Sequence, residues 1–416
     1  MGRRGLRSAD MIGWAAVTVV ALALAAGCTG SSTSTSAKRA KVVRTNLTIT
    51  PANGARHVQP GAGIAVAARD ARLKGVVVST SGHPVTGNLA SGGASWHSSG
   101  MLAPSQTYTV IATAVRAGGK KISATSSFRT LTPRKTFHAT VLEGDHQEYG
   151  VGMPIVLTFS RPITNRAAVE RALSITSSKR VIGAWYWDGN ESVMFRPRKY
   201  WSPGTHVTMT AALTGVEGAK GVYGTRDLHV AFSIGPSLIA RVGASTHYMR
   251  VYYKGRLYGR WPISTGAPGD DTANGHYLTI EKANPVLMSG PGYHDFPVPW
   301  SVRFTWSGNY IHDAYWSVGE QGFVNVSHGC VNVSPAHAET YYKLELPGSP
   351  VIVTGSPVAG RWDDGWTQWF LSWNQWLTGS ALHSAVIAGP TGSTFVDPSS
   401  VQEPVRLGYR GHALVP

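Results

Sequence analysis

The sequence predicts a mainly β chain: two tandem β-sandwiches, then a further mostly-β domain, then a Trp-rich C-terminal segment. Three observations carry this expectation. Among 416 residues, 48 are Gly and 24 Pro, while only 14% are charged, a composition of many turns and little helix. Short alternating apolar segments recur every 8–12 residues between Gly, Pro, Asn and Ser, with no competing helical period. A stretch near residue 100 is also echoed near residue 200.

The first sandwich is expected over residues 41–133. Leu47-Thr48-Ile49-Thr50, Ile64-Ala65-Val66, Val76-Val77-Val78 and Tyr108-Thr109-Val110-Ile111 read as its strands. The second is expected over 134–235, with Pro154 to Ser160 as one strand. Leu102-Ala103-Pro104-Ser105-Gln106-Thr107-Tyr108 is echoed by Trp201-Ser202-Pro203-Gly204-Thr205-His206-Val207. Neither unit has the Cys–Trp–Cys pattern of antibody domains, so the residues support the sandwich architecture alone. Neither carries obvious chemistry, and both read as spacers or wall-binding modules.

Residues 236–355 differ. Between strand patterns at Tyr248–Tyr253 and Pro350–Val353 lie long stretches rich in His, Asn, Tyr and Trp, the kind of irregular segment in which function resides. In residues 356–416, Trp362, Trp366, Trp369, Trp373 and Trp376 are spaced 4, 3, 4 and 3 apart. They share one face if the segment is helical, although Gly365 weakens the first turn. The stripe reads first as packing that docks the tail on a neighbouring domain, and second as a carbohydrate-stacking strip.

The N-terminus reads as a targeting signal. Arg3, Arg4 and Arg7 precede an apolar run from Met11 to Ala26, short for a spanning helix and suited to a signal-peptide core. The run ends in Leu24-Ala25-Ala26-Gly27-Cys28, which resembles a bacterial lipobox, with Leu one place earlier than usual. Residues 1–27 are expected to be removed, Cys28 to carry lipid, and 28–40, rich in Ser and Thr, to be a solvated tether. The alternative is an ordinary signal peptide cut near Ala-x-Ala. Either way the mature protein works outside the cytoplasm. The formal net charge of +16 favours anionic partners, but the basic residues form no run of five, which argues against nucleic acid.

Only two cysteines are present, Cys28 and Cys330. A disulfide between them would tie a tether to a domain, which leaves one lipidated cysteine and one reactive cysteine. Cys330 lies in Ser327-His328-Gly329-Cys330-Val331-Asn332-Val333-Ser334. A thiol attacks as its thiolate and needs a base. His312, 18 residues upstream, is placed to reach it if two strands joined by a loop come together. Gly329 gives backbone freedom, and the amides of Gly329 and Cys330 are candidate oxyanion donors. Ser334-Pro335 reads as an N-cap and first turn of a helix to about Leu344. A zinc site would have to recruit His312, His328 and His337 around a single cysteine across that cap. No metal or cofactor is therefore expected.

The segment from His312 to Ser334 resembles the active site of the L,D-transpeptidase family, whose signature is His…(Ser/Thr)-His-Gly-Cys. The likeness extends to the actinobacterial run Trp316-Ser317-Val318-Gly319-Glu320-Gln321-Gly322 and to the order of lipobox, two immunoglobulin-like domains, catalytic domain (236–355) and Trp-rich C-terminal subdomain (356–416). The resemblance implies that Cys330 attacks a peptidoglycan stem peptide after its third residue, a diaminopimelate. D-alanine leaves, and the thioester is resolved by the side-chain amine of a second stem. It implies His312 as base and the backbone carbonyl of Asp313 as its partner. The Asp313 carboxylate departs from the Ser of many relatives and is expected to raise the pKa of His312. His328 is expected to shape the pocket. Ser327, Asn332, Met288, Tyr293 and Trp316 match substrate-binding positions, and carbapenems acylate such cysteines. Two other functions stay open: a carboxypeptidase or protein-anchoring enzyme using the same thioester, and a silent wall-binding lipoprotein.

Overall fold

A computed structural model describes residues 46–81, 85–290 and 293–401. The signal peptide, the tether and Cys28 lie outside them.

The first sandwich pairs a four-stranded sheet, in the order Leu47–Thr50, Ala65–Ala68, Ser95–Ser98 and Gly87–Leu89, with a three-stranded sheet of Ala71–Thr80, Thr107–Arg116 and Lys121–Arg129. Strand alternation builds its core. Tyr108, Val110, Ala112 and Ala114, every second residue of one strand, are buried against Val66, Trp96 and Phe128. The repeated stretch is structural in both sandwiches. Ser105 and Gly204 each adopt a left-handed φ, of 63° and 69°, just before the strands Thr107–Arg116 and His206–Ala211.

The C-terminal segment, expected to dock on a neighbouring domain, goes further and supplies strands to the second sandwich. The sandwich's larger sheet runs Gly392–Val396, Ala385–Gly389, Val181–Asp188, Ser192–Pro197, Ile155–Phe159 and Ala139–Val141. Two of these six strands come from the C-terminal segment, joined in antiparallel register with Val181 opposite Ala388 and Gly183 opposite Val386. The opposing sheet contains Glu148–Tyr149, Leu228–Ile234, His206–Ala211 and Leu173–Ser177.

The five spaced tryptophans do not form one helix. Gly365, at φ 122°, breaks the segment, and only Trp373–Leu377 is α-helical, after a 3-10 turn at Gln368–Phe370. A side chain at Gly365 would meet the Phe304 carbonyl at 2.9 Å, so the break follows from close packing as well as from φ. The rings nevertheless pack inward. Trp376 is fully buried and donates to the Ala184 carbonyl at 2.9 Å, and Trp369 donates to Gly152 at 2.8 Å.

Two buried charges fasten the segment. The Arg196 guanidinium lies 4.4 Å from the Trp369 ring and 4.8 Å from Trp376, and donates to the Leu371 carbonyl at 2.8 Å. Burial lowers its pKa to about 10, so it stays charged at neutral pH. The carboxylate of Glu170, fully buried, accepts from Trp187 Nε1 at 2.9 Å, Ser380 Oγ at 2.6 Å and the Ala381 amide at 2.7 Å.

The third domain has a five-stranded sheet in the order Arg256–Pro262, Tyr248–Tyr253, Leu238–Gly243, Pro350–Thr354 and Gly275–Leu278. A second sheet runs Glu281–Ala283, Ser301–Arg303, Tyr310–Asp313 and Val331–Val333, with the hairpin Val286–Gly290/Tyr293–Val298 beside it. Helix Pro335–Leu344 begins after Ser334, though the Ser334 side chain makes no capping bond. Phe370 of the C-terminal segment packs edge-on against Tyr277, with ring centroids 5.0 Å apart, so the segment touches this domain as well.

Glu170→Ala is expected to leave three buried donors without an acceptor, at a cost of about 2–4 kcal/mol. Denaturant unfolding should report that loss, and limited proteolysis should cleave between residues 380 and 397 faster than in the wild type. Unchanged protection there would show that the carboxylate does not hold the segment.

Candidate active site

Parallel pairing of Tyr310–Asp313 with Val331–Val333 creates the site. Ile311 faces Val331, His312 faces Asn332 and Asp313 faces Val333 across the pair. Side chains alternate along a strand. Ile311, Val331 and Val333 therefore anchor one face in the core, while His312 and Asn332 belong to the other, and Cys330 immediately precedes the strand. A loop of 17 residues between His312 and Cys330 is thus closed by three registered residue pairs.

The sulfur of Cys330, a free and half-buried cysteine, has backbone partners on two sides. Its thiol lies 3.7 Å from the Gly308 carbonyl, and the Tyr310 amide donates to the sulfur. Burial pushes the thiol up to about 11, and the Tyr310 amide opposes this shift. His312 is only 3% exposed. Its Nδ1 lies 2.7 Å from the Asp313 carbonyl oxygen. A carbonyl only accepts, so Nδ1 carries the proton and Nε2 keeps its lone pair. Desolvation lowers the imidazole to about 4, outweighing that hydrogen bond. The Trp316 ring covers it, with centroids 5.8 Å apart and planes 25° apart.

Two expectations are corrected. The Asp313 carboxylate does not raise His312: only its backbone oxygen engages the ring, and its buried carboxyl is itself pushed up by desolvation. The Gly329 amide is not a free oxyanion donor, because it donates to Ser327 Oγ at 3.2 Å. That hydroxyl in turn donates to the Cys330 carbonyl at 2.7 Å, so Ser327, 93% buried, braces the turn from inside. The Gly329 carbonyl accepts from Thr272 Oγ1 at 2.7 Å. Gly329 has φ 111°, and a Cβ there would stand 2.5 Å from Asn309 Nδ2, so the position requires glycine on two counts.

The remaining predicted residues separate into two groups. His328 is exposed beside the thiol turn, and Trp316 is 46% exposed above His312. Met288 is half-buried in the hairpin, opposite Phe296. Tyr293 lies in the same hairpin, with its backbone paired to Gly290. Asn332, by contrast, is buried. Its Nδ2 donates to Ser317 Oγ at 2.9 Å, and its backbone exchanges hydrogen bonds with Ser264 at 2.8 and 3.1 Å. Its side chain supports the Trp316–Ser317 turn from below, which does not suit a substrate contact.

Sequence reasoning missed several neighbours. Phe296 reaches from the hairpin to Trp316, with perpendicular rings 5.1 Å apart, and so links the hairpin to the ring that covers His312. Asn309 Oδ1 accepts from Thr305 Oγ1 at 2.9 Å and is oriented toward it, which leaves Nδ2 against Gly329. Ser307, in the same turn, donates through its amide and hydroxyl to Asp364 of the C-terminal segment at 2.6 and 2.7 Å. The cluster Thr305-Trp306-Ser307-Gly308-Asn309 is a turn signature that could have drawn attention to this loop. Its contact with Asp364 could not have been read from spacing. Among the described residues no group of His, Cys, Asp and Glu side chains is arranged to hold a metal ion.

Comparison with known proteins agrees with this arrangement. Residues 55–217 match the bacterial Ig domain family and residues 238–353 the L,D-transpeptidase catalytic domain family. The chain is 33% identical over 341 residues to L,D-transpeptidase 2 of Mycobacterium tuberculosis, covering 78% of this chain and 83% of that protein. It is 34% identical over 348 residues to L,D-transpeptidase 5 of the same organism, covering 81% and 77% respectively. With L,D-transpeptidase 1 it shares 34% over 227 residues, 52% of this chain and 84% of that protein. Relatedness at this level over most of both chains, joined to a Cys–His pair of strands built as described, makes this protein a member of the L,D-transpeptidase family, extracytoplasmic acyltransferases that form peptidoglycan cross-links.

Proposed function

We propose that Cys330 is the nucleophile and His312 the general base of a transpeptidation that links the third residues of two stem peptides. The observation that carries this reading is the pinned tautomer: Nδ1–H donates to the Asp313 carbonyl, so Nε2 is the ring nitrogen left to accept a proton. With the thiol near 11 and the imidazole near 4, the pair rests uncharged. The proton therefore moves as the sulfur attacks. Cys330 Sγ bonds to the carbonyl carbon after the donor's third residue, and Nε2 takes the thiol proton. The tetrahedral oxyanion collapses to a thioester as D-alanine departs with that proton. The diaminopimelate amine of a second stem then attacks the thioester, His312 accepts the amine proton, and the thiol is restored. The Cys330 amide is the remaining backbone candidate to receive the oxyanion, since that of Gly329 is committed to Ser327. Trp316 and the hairpin carrying Met288, Tyr293 and Phe296 would flank the donor, and His328 would shape the rim.

Incubation with disaccharide-tetrapeptide decides between this reading and hydrolysis by the same thioester. Cross-linked dimers are expected, whereas tripeptide with free D-alanine and no dimer would make the enzyme a carboxypeptidase. Cys330→Ala should abolish the product. His312→Gln should slow carbapenem acylation roughly 10²–10⁴-fold, the usual worth of a positioned base. Asp313→Asn should cost far less, because only its backbone is used. Equal damage from the last two would replace the backbone assignment with a side-chain triad.

The pH profile of that acylation has a definite sign. A base depressed to about 4 stays competent well below the ordinary histidine range. Single-turnover acylation should therefore hold level from about pH 8 to about pH 5 and halve only near pH 4, where Nε2 is protonated. An acid limb centred near 6.5 would mean that His312 titrates as an ordinary histidine.

The N-terminal lipid belongs to the same proposal. Cys28→Ser should release the protein from the membrane fraction into the medium without changing acylation of Cys330. Retention in the membrane would remove the lipobox assignment.

A further inference from the structure

The third domain assembles a charge pattern that the sequence keeps apart. Residues 228–269 contain no Asp or Glu, and Arg241, Arg250 and Arg260 lie nine and ten positions apart. Antiparallel register sets Arg241 opposite Arg250, and Arg250 opposite Arg260, on the strands Leu238–Gly243, Tyr248–Tyr253 and Arg256–Pro262. Ala240, Val242, Met249, Val251 and Trp261 turn into the core. By alternation the three arginines share the outer face, and all three are exposed there. Like charges directly opposite one another destabilise a sheet. Here that opposition occurs twice in one row, and among the described residues none of the three is ion-paired with a carboxylate. Arg260 lies 3.3 Å from the Tyr248 ring centroid, a contact that leaves its charge in place.

The surroundings of the row give it a direction. Beyond Arg241 come Ile352 and His276, and His276 is covered by the Tyr200 hydroxyl of the second sandwich. Burial, with the charges of Arg196 and Arg241, lowers His276 to about 4, so it adds no charge to the row. Arg260, at the other end, stands on the open edge strand of the sheet. Beside the row, Tyr248 and Pro262 approach the loop that carries Trp316. A Cβ at Gly322 of that loop would stand 3.1 Å from Pro262 and 3.5 Å from the Tyr248 hydroxyl.

We infer that the row of Arg241, Arg250 and Arg260 is a docking surface for an anionic polymer of the cell wall. Neighbouring strands stand about 4.8 Å apart, so the backbones of the outer two arginines are about 10 Å apart. A single small anion does not bridge that span, whereas a chain with oxyanions at intervals meets all three guanidinium groups. Each guanidinium can pair bidentately with a phosphate or a carboxylate. The family works on the wall, and the row borders the loop that carries Trp316, so a polymer held there lies alongside the substrate. A bilayer would need a larger insertable surface, and on these three strands Leu257 and Tyr258 are the large apolar side chains that stand exposed.

The test uses the full-length protein with two probes: fluorescent polygalacturonate, with its methyl ester as uncharged control, and purified cell walls. The wild type should bind the polyacid well ahead of the ester, lose affinity as salt rises, and sediment with walls. Arg241→Gln/Arg250→Gln/Arg260→Gln should lose roughly tenfold or more in affinity for the polyacid and be retained less by walls, with carbapenem acylation of Cys330 unchanged. Lys74→Gln/Lys120→Gln/Lys121→Gln removes equal charge from exposed positions of the first sandwich and should bind as the wild type does. Arg250→Gln alone should weaken binding with thermal stability unchanged or raised, because it removes both like-charge oppositions. Walls stripped of phosphodiester polymers, and walls with their carboxylates neutralised, identify the natural group: retention should fall with one treatment or the other. Retention that survives both treatments, equal loss in the two triple variants, equal affinity for polyacid and ester, or capture by anionic phospholipid vesicles in place of walls would each overturn the inference.

Discussion

The parallel pairing of Tyr310–Asp313 with Val331–Val333 is the constraint on which the site depends. Parallel neighbours need a crossover, and here it is the loop carrying Trp316 and Ser317. Three registered pairs set the height of His312 against Asn332, and Cys330 enters that strand immediately before its first paired residue. A slip of one residue would send the imidazole into the core and Ile311 to the thiol. Register is held from both sides. Ile311, Val331 and Val333 are buried on one face, and Asn332 exchanges backbone bonds with Ser264. Asn332 therefore holds the register and, through Ser317, the loop that carries Trp316.

Burial then decides the protonation state. Desolvation disfavours charge on both partners, raising the thiol and lowering the imidazole, so neither offers the other a stable ion. The Tyr310 amide partly offsets this by donating to the sulfur, and it will favour the thiolate once the proton leaves. Depressed histidines also bear on stability. His312 and His276, each lowered to about 4 by burial, bind protons more tightly when unfolded, so their contribution is present above about pH 6.5 and is lost as pH falls toward 4.

Much of the fold was legible because it rests on local patterns. Alternation at Thr107–Arg116 and the turn repeated at Ser105 and Gly204 are readable one segment at a time. Cys330, His312 and Gly329 were singled out for a different reason: a nucleophile, a base and a backbone hinge leave few residue types that suffice, and the glycine is required here by its φ and by Asn309. What escaped was non-local. The Trp spacing suggested a helix, but Gly365 must pass close to Phe304, and packing overrode the period. The strand Ala385–Gly389 looks like any other apolar segment, and nothing in its composition states that its partner lies some 200 residues away at Val181–Gly183. The Gly329 amide looked available because hydrogen-bond supply cannot be counted from sequence, and the Ser327 hydroxyl claims it.

The C-terminal segment turns these separate pieces into one mechanical unit. It enters the second sandwich as two strands and is fastened there by the Glu170 carboxylate and by the tryptophans around Arg196. A guanidinium with aromatic faces and a carbonyl, but no carboxylate, keeps its charge partly unsatisfied, and the rings hold it without giving it a rival acceptor. On its way to the sandwich the segment passes the active-site domain. There Asp364 accepts from Ser307, two residues before the Asn309 that abuts Gly329 and one before the Gly308 carbonyl that faces the thiol. The turn that holds the sulfur is thereby tied through Asp364 to a segment whose far end is a sandwich strand. One stretch of chain thus contacts the catalytic domain at Tyr277 through Phe370 and at Ser307 through Asp364, one residue from the Gly308 carbonyl beside the thiol, before it completes the sandwich sheet.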